Sequence, residues 1–408
     1  MKNIIITLII LFSGLGLYAQ TLEDYFKIAA ENNPGLLSQY KDFEAALQKV
    51  PQVSTLPDPS FSFGYFVSPV ETRVGPQQAR FSLTQMFPWF GTLKAQGDAA
   101  TLMAEAKYQS FLDAKNKLYF DVSAAYFPLY ELREWMKIEE RNIAILESYK
   151  TISNSKFKNG NGTLVDVLRV DIMLKEAKTT LGILNKKEKP LMASFNKLLN
   201  RDEMQPVTIT DNIVVEPVLS GYNKDAFIVD HPLMNSIDLK TKASEASERA
   251  AIKQGFPKLG LGLDYVMVGE RTDMTLVDNG KDVLMPMLTV TLPIFRGKYK
   301  AAVKEAQLMQ ESYSFQKKEI ANSLNSNYEM ALFDIRQQTD LVSLFDEQIE
   351  ESKQALNLLY TAYGNSGKDF EEVLRMQQQL LKYDKLKITA LSQYRIAMAK
   401  LDYITAKK

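Results

Sequence analysis

Hydrophobic residues along this chain follow two distinct periods. The first is a heptad in the second half. Positions 321, 328, 335, 342, 349, 356 and 363 are Ala, Tyr, Ile, Val, Ile, Leu and Tyr. Positions 324, 331, 338, 345, 352 and 359 are Leu, Ala, Gln, Phe, Ser and Leu. Stepping back 206 residues gives the same pattern in the first half, with Val122, Leu129, Met136 and Ile143 on one seam and Leu118, Ala125, Leu132 and Leu146 on the other. A repeat of 3.5 sustained this far specifies supercoiled helices. Lys115, Glu139, Lys150, Ser153, Gln338 and Ser352 intrude on the seams, so they are imperfect. Each long helix should run about 65 residues and measure roughly 100 Å. A helix of about 35 residues before it and one of about 37 after it together match its length, as two struts stacked end to end would. Pro128 lies inside the first long helix and should kink it; Phe333-Asp334 stand at the equivalent place in the second.

The second period is two. Phe61, Phe63, Tyr65 and Val67 alternate with Ser60, Ser62 and Gly64, and Phe66 breaks the pattern. Phe81, Leu83 and Phe87 oppose Ser82, Thr84 and Met86. Leu259, Leu261, Leu263, Tyr265 and Met267 oppose Gly260, Gly262 and Asp264, while Leu284, Leu288, Val290 and Leu292 oppose Thr289 and Thr291. These runs predict two hairpins, 59–87 and 257–293. Each run approaches the 9–11 residues with which a tilted strand crosses a bilayer. Four strands cannot close a barrel, but three copies contribute twelve and leave no edge. Phe61, Phe63, Tyr65, Leu83, Leu259, Leu261, Leu263, Leu288 and Val290 are the candidate lipid-facing residues, and Thr289 faces the lumen.

The two halves read as a duplication. Pro34 and Pro232, like Pro59 and Pro257, stand 198 residues apart (232 − 34 and 257 − 59). Gln85-Met-Phe-Pro-Trp-Phe-Gly91 answers Val290-Thr-Leu-Pro-Ile-Phe-Arg-Gly297, and Asp166-Val-Leu-Arg169 answers Glu372-Val-Leu-Arg375. The expected organisation is a first repeat over 20–200, a connecting segment over 201–223 and a second repeat over 224–408. Short β-like runs, Val207–Thr210 and Ile213–Val215, fall in the connector. Reversals at 159–163 and 364–368 join the long helix of each half to the helix after it.

Residues 1–19 read as an export signal: Lys2, an apolar run from Ile4 to Leu17, and Leu17-Tyr18-Ala19 as a cleavage site. The chain has no cysteine, which excludes disulfides, thiolate chemistry and a lipid anchor on an N-terminal Cys. Lys plus Arg and Asp plus Glu both number 49, a balance unlike that of a nucleic-acid binder. Past the signal no stretch is apolar enough for a spanning helix, so a further membrane crossing must be a closed barrel.

With these features in hand, the chain from Thr21 to about Ala406 resembles the TolC outer-membrane efflux family. The resemblance rests on the duplicated layout, the strand-to-helix corners (Phe87, Pro88, Trp89, Gly91; Pro293, Phe295, Gly297) and the tip Phe157-Lys-Asn-Gly-Asn-Gly-Thr-Leu-Val-Asp-Val-Leu168. It implies a mainly α fold: a duplicated coiled-coil helical barrel, with four strands per chain forming a trimeric 12-stranded outer-membrane barrel. It further implies a passive, non-enzymatic duct in the outer membrane that extends into the periplasm. A homotrimer without cofactor would dock to a periplasmic adaptor and an inner-membrane pump. The tip and gate candidates are Gly160, Gly162, Asp166, Arg169, Tyr363, Gly364, Gly367, Glu372 and Arg375. The second tip departs from the family pattern, with Ser366 in the place of its Gly. Arg375 stands where the family has an acidic residue, so a mixed Glu372/Arg375 ring is expected. Leu56-Pro-Asp-Pro59 is similar to the heavy-metal-efflux branch.

Other constellations are bland. His231 precedes Pro232 and reads as a polar turn residue, because no second His or Cys completes a metal site. The 16 methionines, Met285 and Met287 among them, read as gap-filling side chains. No phosphate-binding or dinucleotide motif is present, so energy must come from a partner. Trp89, Phe90 and Phe295 suit an interfacial belt on the periplasmic side or packing at the corner. A periplasmic coiled-coil scaffold or adhesin stalk is the alternative function, and the alternating strands speak against it.

Overall fold

The computed structural model describes residues 21–210, 212–216, 224–366 and 370–407. The expected signal at 1–19, Gly367 and the end of the connector lie outside the described residues. In chain order the elements are α1 (Leu22–Asn32), α2 (Pro34–Leu47), α3 (Lys49–Ser54), β1 (Ser60–Thr72), β2 (Gly75–Phe87), α4 (Thr92–Lys158) and α5 (Leu164–Leu198). There follow α6 (Lys224–Val229), α7 (Pro232–Gln254), β3 (Lys258–Val268), β4 (Val283–Thr291), α8 (Gly297–Ser366) and α9 (Phe370–Ile404). Both halves thus run helices, hairpin, long helix, helix.

The single helix expected at the start of each half is broken, and prolines explain the breaks. Asn33 precedes Pro34 and is extended (φ −64°, ψ 118°), since the proline ring excludes the helical region for its predecessor. Its side-chain oxygen accepts from the Leu36 N–H at 3.0 Å and so caps α2. Pro51 cannot donate to the Leu47 carbonyl, and α2 ends there. In the second half α6 ends before Pro232 and α7 begins on it. Pro128, expected to kink α4, sits within a helix that continues through it.

The chain forms two compact units, and neither coincides with a sequence repeat. One comprises residues 1–38, 112–231 and 323–408; the other comprises 39–111 and 232–322. The first buries the heptad seams: Leu118, Val122, Leu129, Leu132 and Leu146 from α4, and Leu324, Tyr328, Ala331, Ile335, Val342 and Ile349 from α8. The polar intruder Glu139 is buried too and is met by Lys385 of α9 and by Asn142.

The connector corrects the sequence expectation of β-like runs. Residues 207–210 and 213–215 have no strand partner among the described residues. Tyrosine hydroxyls hold their backbone instead. The Thr208 N–H donates to Tyr25 Oη at 2.8 Å, Thr210 N–H to Tyr126 Oη at 3.3 Å, and Glu216 N–H to Tyr394 Oη at 3.1 Å. Arg133 donates to the Val207 carbonyl at 2.8 Å. Buried Tyr25, Tyr126 and Tyr394 thereby satisfy chain that a ladder would otherwise serve.

The second unit holds the sheet, antiparallel throughout in the order β1-β2-β3-β4. β2 pairs with β3, so the two hairpins form one sheet, and β1 and β4 are its open edges.

Candidate functional site

The register fixes which side chains share a face. Phe61, Leu83 and Leu263 lie in one row, as do Phe63, Phe81 and Tyr265, then Leu261 and Leu288, then Phe87, Leu259 and Val290. All nine lipid-facing candidates, Tyr65 included, fall on one face, and all nine are exposed. Phe81 links the strands, with ring centroids 5.1 Å from Phe63 and 6.4 Å from Tyr265. On the other face Gly260, Asp264, Val266 and Val268 of β3 are buried. Asp264 pairs there with Arg80, and a Cβ on Gly260 would lie 2.5 Å from Met86 Sδ. A sheet in water covers its apolar face; this sheet leaves its apolar face exposed.

Beyond the strand ends come the corners. Gly91 takes φ +75°, a conformation that costs glycine little, between Phe87-Pro88 and α4. Trp89 stacks on Phe256 with centroids 5.2 Å apart and planes at 20°. Pro293 and Phe295 lead into Gly297, the first residue of α8. Phe90 and Phe295 are 78% and 87% exposed, so corner packing accounts for Trp89 but not for these two.

The tip lies in the other unit. Gly160, at φ +72°, turns the chain after α4. A Cβ on Gly162 would sit 3.0 Å from Lys156 Cβ, so a side chain there would crowd the turn. Thr163 and Asp166 form a capping box at the start of α5: the Asp166 N–H donates to Thr163 Oγ1, and Asp166 Oδ2 accepts from the Thr163 N–H at 3.2 Å. Asp166 is therefore committed to the helix end, a role that its spacing from Thr163 could have disclosed.

Tyr363, offered by the sequence as a gate candidate, is buried instead. It stacks on Phe370 at 4.4 Å in a core with Leu146, Val170, Leu174 and Val373. Burial holds its hydroxyl above the usual tyrosine range. Lys156 Nζ lies 4.3 Å from the Tyr363 ring centroid and donates to the carbonyls of Tyr363 (2.7 Å) and Gly364 (3.2 Å). That cation caps the C-terminal end of α8, a role that no local sequence pattern announces. Gly364 lies in the last turns of α8, not in the reversal itself. Arg169 of α5 pairs with Glu371 of α9 at 2.8 Å, while Glu372 pairs with Arg375 one turn along the same helix.

His231 is no turn residue in solvent. It is fully buried, with its ring 6.4 Å from that of Tyr403. Burial pulls its pKa down to about 4, against the opposing hydrogen bond with the Tyr403 backbone. Among the described residues no group of three or more His, Cys, Asp or Glu could hold a metal ion, and no helix is long and apolar enough to cross a membrane.

An antiparallel four-stranded sheet with an exposed apolar face, together with long helices, is a fold that this chain shares with solved outer-membrane channels of the TolC type. Solved structures share it. The outer-membrane channel OprN superposes with a TM-score of 0.78 at 15% identity, over 95% of this chain and 90% of that one. CusC, described in terms of transmembrane channel formation, gives 0.78 at 14% identity over 96% and 95%. The outer membrane protein VceC of Vibrio cholerae gives 0.75 at 14% identity over 94% and 95%. No protein-family model and no curated protein sequence matches the chain.

Proposed function

We propose that this chain is a TolC-type outer-membrane efflux protein, three copies of which close into one duct. The carrying observation is the four-stranded sheet, whose apolar face is exposed and whose β1 and β4 edges are open. An exposed apolar sheet with free edges aggregates in water. In a bilayer, β4 of one copy pairs with β1 of the next, and three copies give twelve strands with no edge. The apolar face then meets lipid, and Ser82, Thr84 and Thr289 line the lumen. The helices continue the passage into the periplasm. A signal peptide removed after residue 19 delivers the chain there, without lipid on a cysteine. The repeated element order supports descent from a duplication.

The duct is passive and non-enzymatic. Energy comes from an inner-membrane pump reached through a periplasmic adaptor at the tip formed by Gly160–Asp166 and the α8–α9 reversal. Leu56-Pro57-Asp58-Pro59 favours metal ions as cargo; drugs or other small toxic compounds are the alternative. The test is electrical: protein added to a planar bilayer should conduct in discrete steps of uniform size. Insertion without conductance, whatever the voltage, would overturn the duct.

A further inference from the structure

Where β4 gives way to α8, the second unit carries a groove of about 360 Å³ between the end of α7 and the start of α8. Its apolar side is Phe256, Tyr299 and Val303; its rim is Arg296, Lys300 and Lys304. Arg296 immediately precedes α8, and Lys300 and Lys304, four residues apart, share one face of that helix. No carboxylate lines the groove, and none of the three cations forms an ion pair among the described residues. Leu292, Ile294 and Phe295, just before Arg296 in the chain, are exposed, as is Phe90. The sheet's apolar face ends in the same place, at the row Phe87, Leu259 and Val290.

We infer that this groove binds an anionic phospholipid of the periplasmic leaflet. The Arg296, Lys300 and Lys304 rim takes the headgroup phosphate, and the apolar floor takes the adjoining glycerol and acyl segments. The chemistry fits no other occupant as well. Unpaired cations beside exposed aromatic and aliphatic side chains suit an amphiphile, whereas a soluble anion has no use for the floor. The inference rests on the proposed function, in which the sheet lies in the membrane and the groove follows on from its end.

Trp89 supplies the reporter, because it stacks on the groove residue Phe256. The chain has 2 tryptophans, so Trp135→Phe leaves Trp89 alone. The detergent-solubilised full-length protein is titrated with short-chain phosphatidylglycerol, phosphatidylcholine or inorganic phosphate. Phosphatidylglycerol should shift the emission saturably, and the other two should not. The triple variant Arg296→Gln, Lys300→Gln, Lys304→Gln should weaken that binding by about a hundredfold. The charge-matched variant Lys186→Gln, Lys187→Gln, Lys189→Gln should bind as the parent does. Equal losses in both variants, or none in the first, would overturn the site. Equal response to inorganic phosphate would make it a plain anion site. Loss of assembly in the first variant alone, by light scattering, would make the groove a contact between copies. Membrane fractionation separates the outcomes: absence from the outer membrane sinks the channel reading, whereas presence without lipid binding sinks only this one.

Discussion

His231 shows how one buried side chain ties stability to pH. In the folded chain it stays neutral down to about pH 4, whereas an unfolded histidine takes up its proton near 6.5. The unfolded state therefore binds more protons between those values, and stability falls as pH drops through that window. The loss should be of the order of 3 kcal/mol. Denaturant titrations at pH 7 and pH 4.5 measure it, and His231→Gln should shrink the difference. The charged residues of the tip act differently. Glu372 and Arg375 pair within one helix and are exposed, so the pair contributes about 0–1 kcal/mol to stability. Its proposed effect is on the entrance. Arg375→Glu would place a third carboxylate beside Glu371 and Glu372, and the open fraction in single-channel recordings should rise. Glu372→Arg combined with Arg375→Glu should restore closure in part. If both variants conduct like the parent, the constriction lies elsewhere. Tyr363 is then a poor substitute, since its ring is locked into the core against Phe370.

At the scale of elements, legibility followed the range of the interaction. The heptads were readable because neighbours on a helix are close in sequence, and Val122, Leu132, Ile335 and Val342 are buried where the seams put them. The strands were readable for the same reason, and pairing brought their apolar residues into continuous rows. What the sequence hid depends on distant partners. No local pattern says that Tyr25 and Tyr126 will hold the connector's backbone, so Val207–Thr210 read as a strand. Nor does Lys156 announce that it caps α8, or His231 that it is enclosed. The breaks at Asn33 and Leu47 are legible in the sequence, because Pro34 and Pro51 dictate them, although a heptad period does not register them. The facing of the strands is open to direct measurement. Leu261→Arg or Leu288→Arg should cost about 2–4 kcal/mol near the bilayer midplane, and Thr289→Arg should cost less. Folding yield into lipid vesicles distinguishes them; equal yields would refute the assignment, and reversed yields would exchange the faces.

For the whole molecule, the structural units cut across the sequence repeats. Each unit draws on both halves, because α4 and α8 contribute to both. The fold therefore makes its sheet from the two hairpins together, and even so a single chain leaves β1 and β4 unpaired. A single chain exposes Phe61, Phe63, Leu261 and Leu288 on an open sheet, and the proposed trimeric barrel is what would close it. The most direct test is the mass of the particle extracted from outer membranes in mild detergent, determined by light scattering with the detergent contribution subtracted. The account predicts three copies of the mature chain per particle. A stable single copy, soluble without detergent, would contradict it.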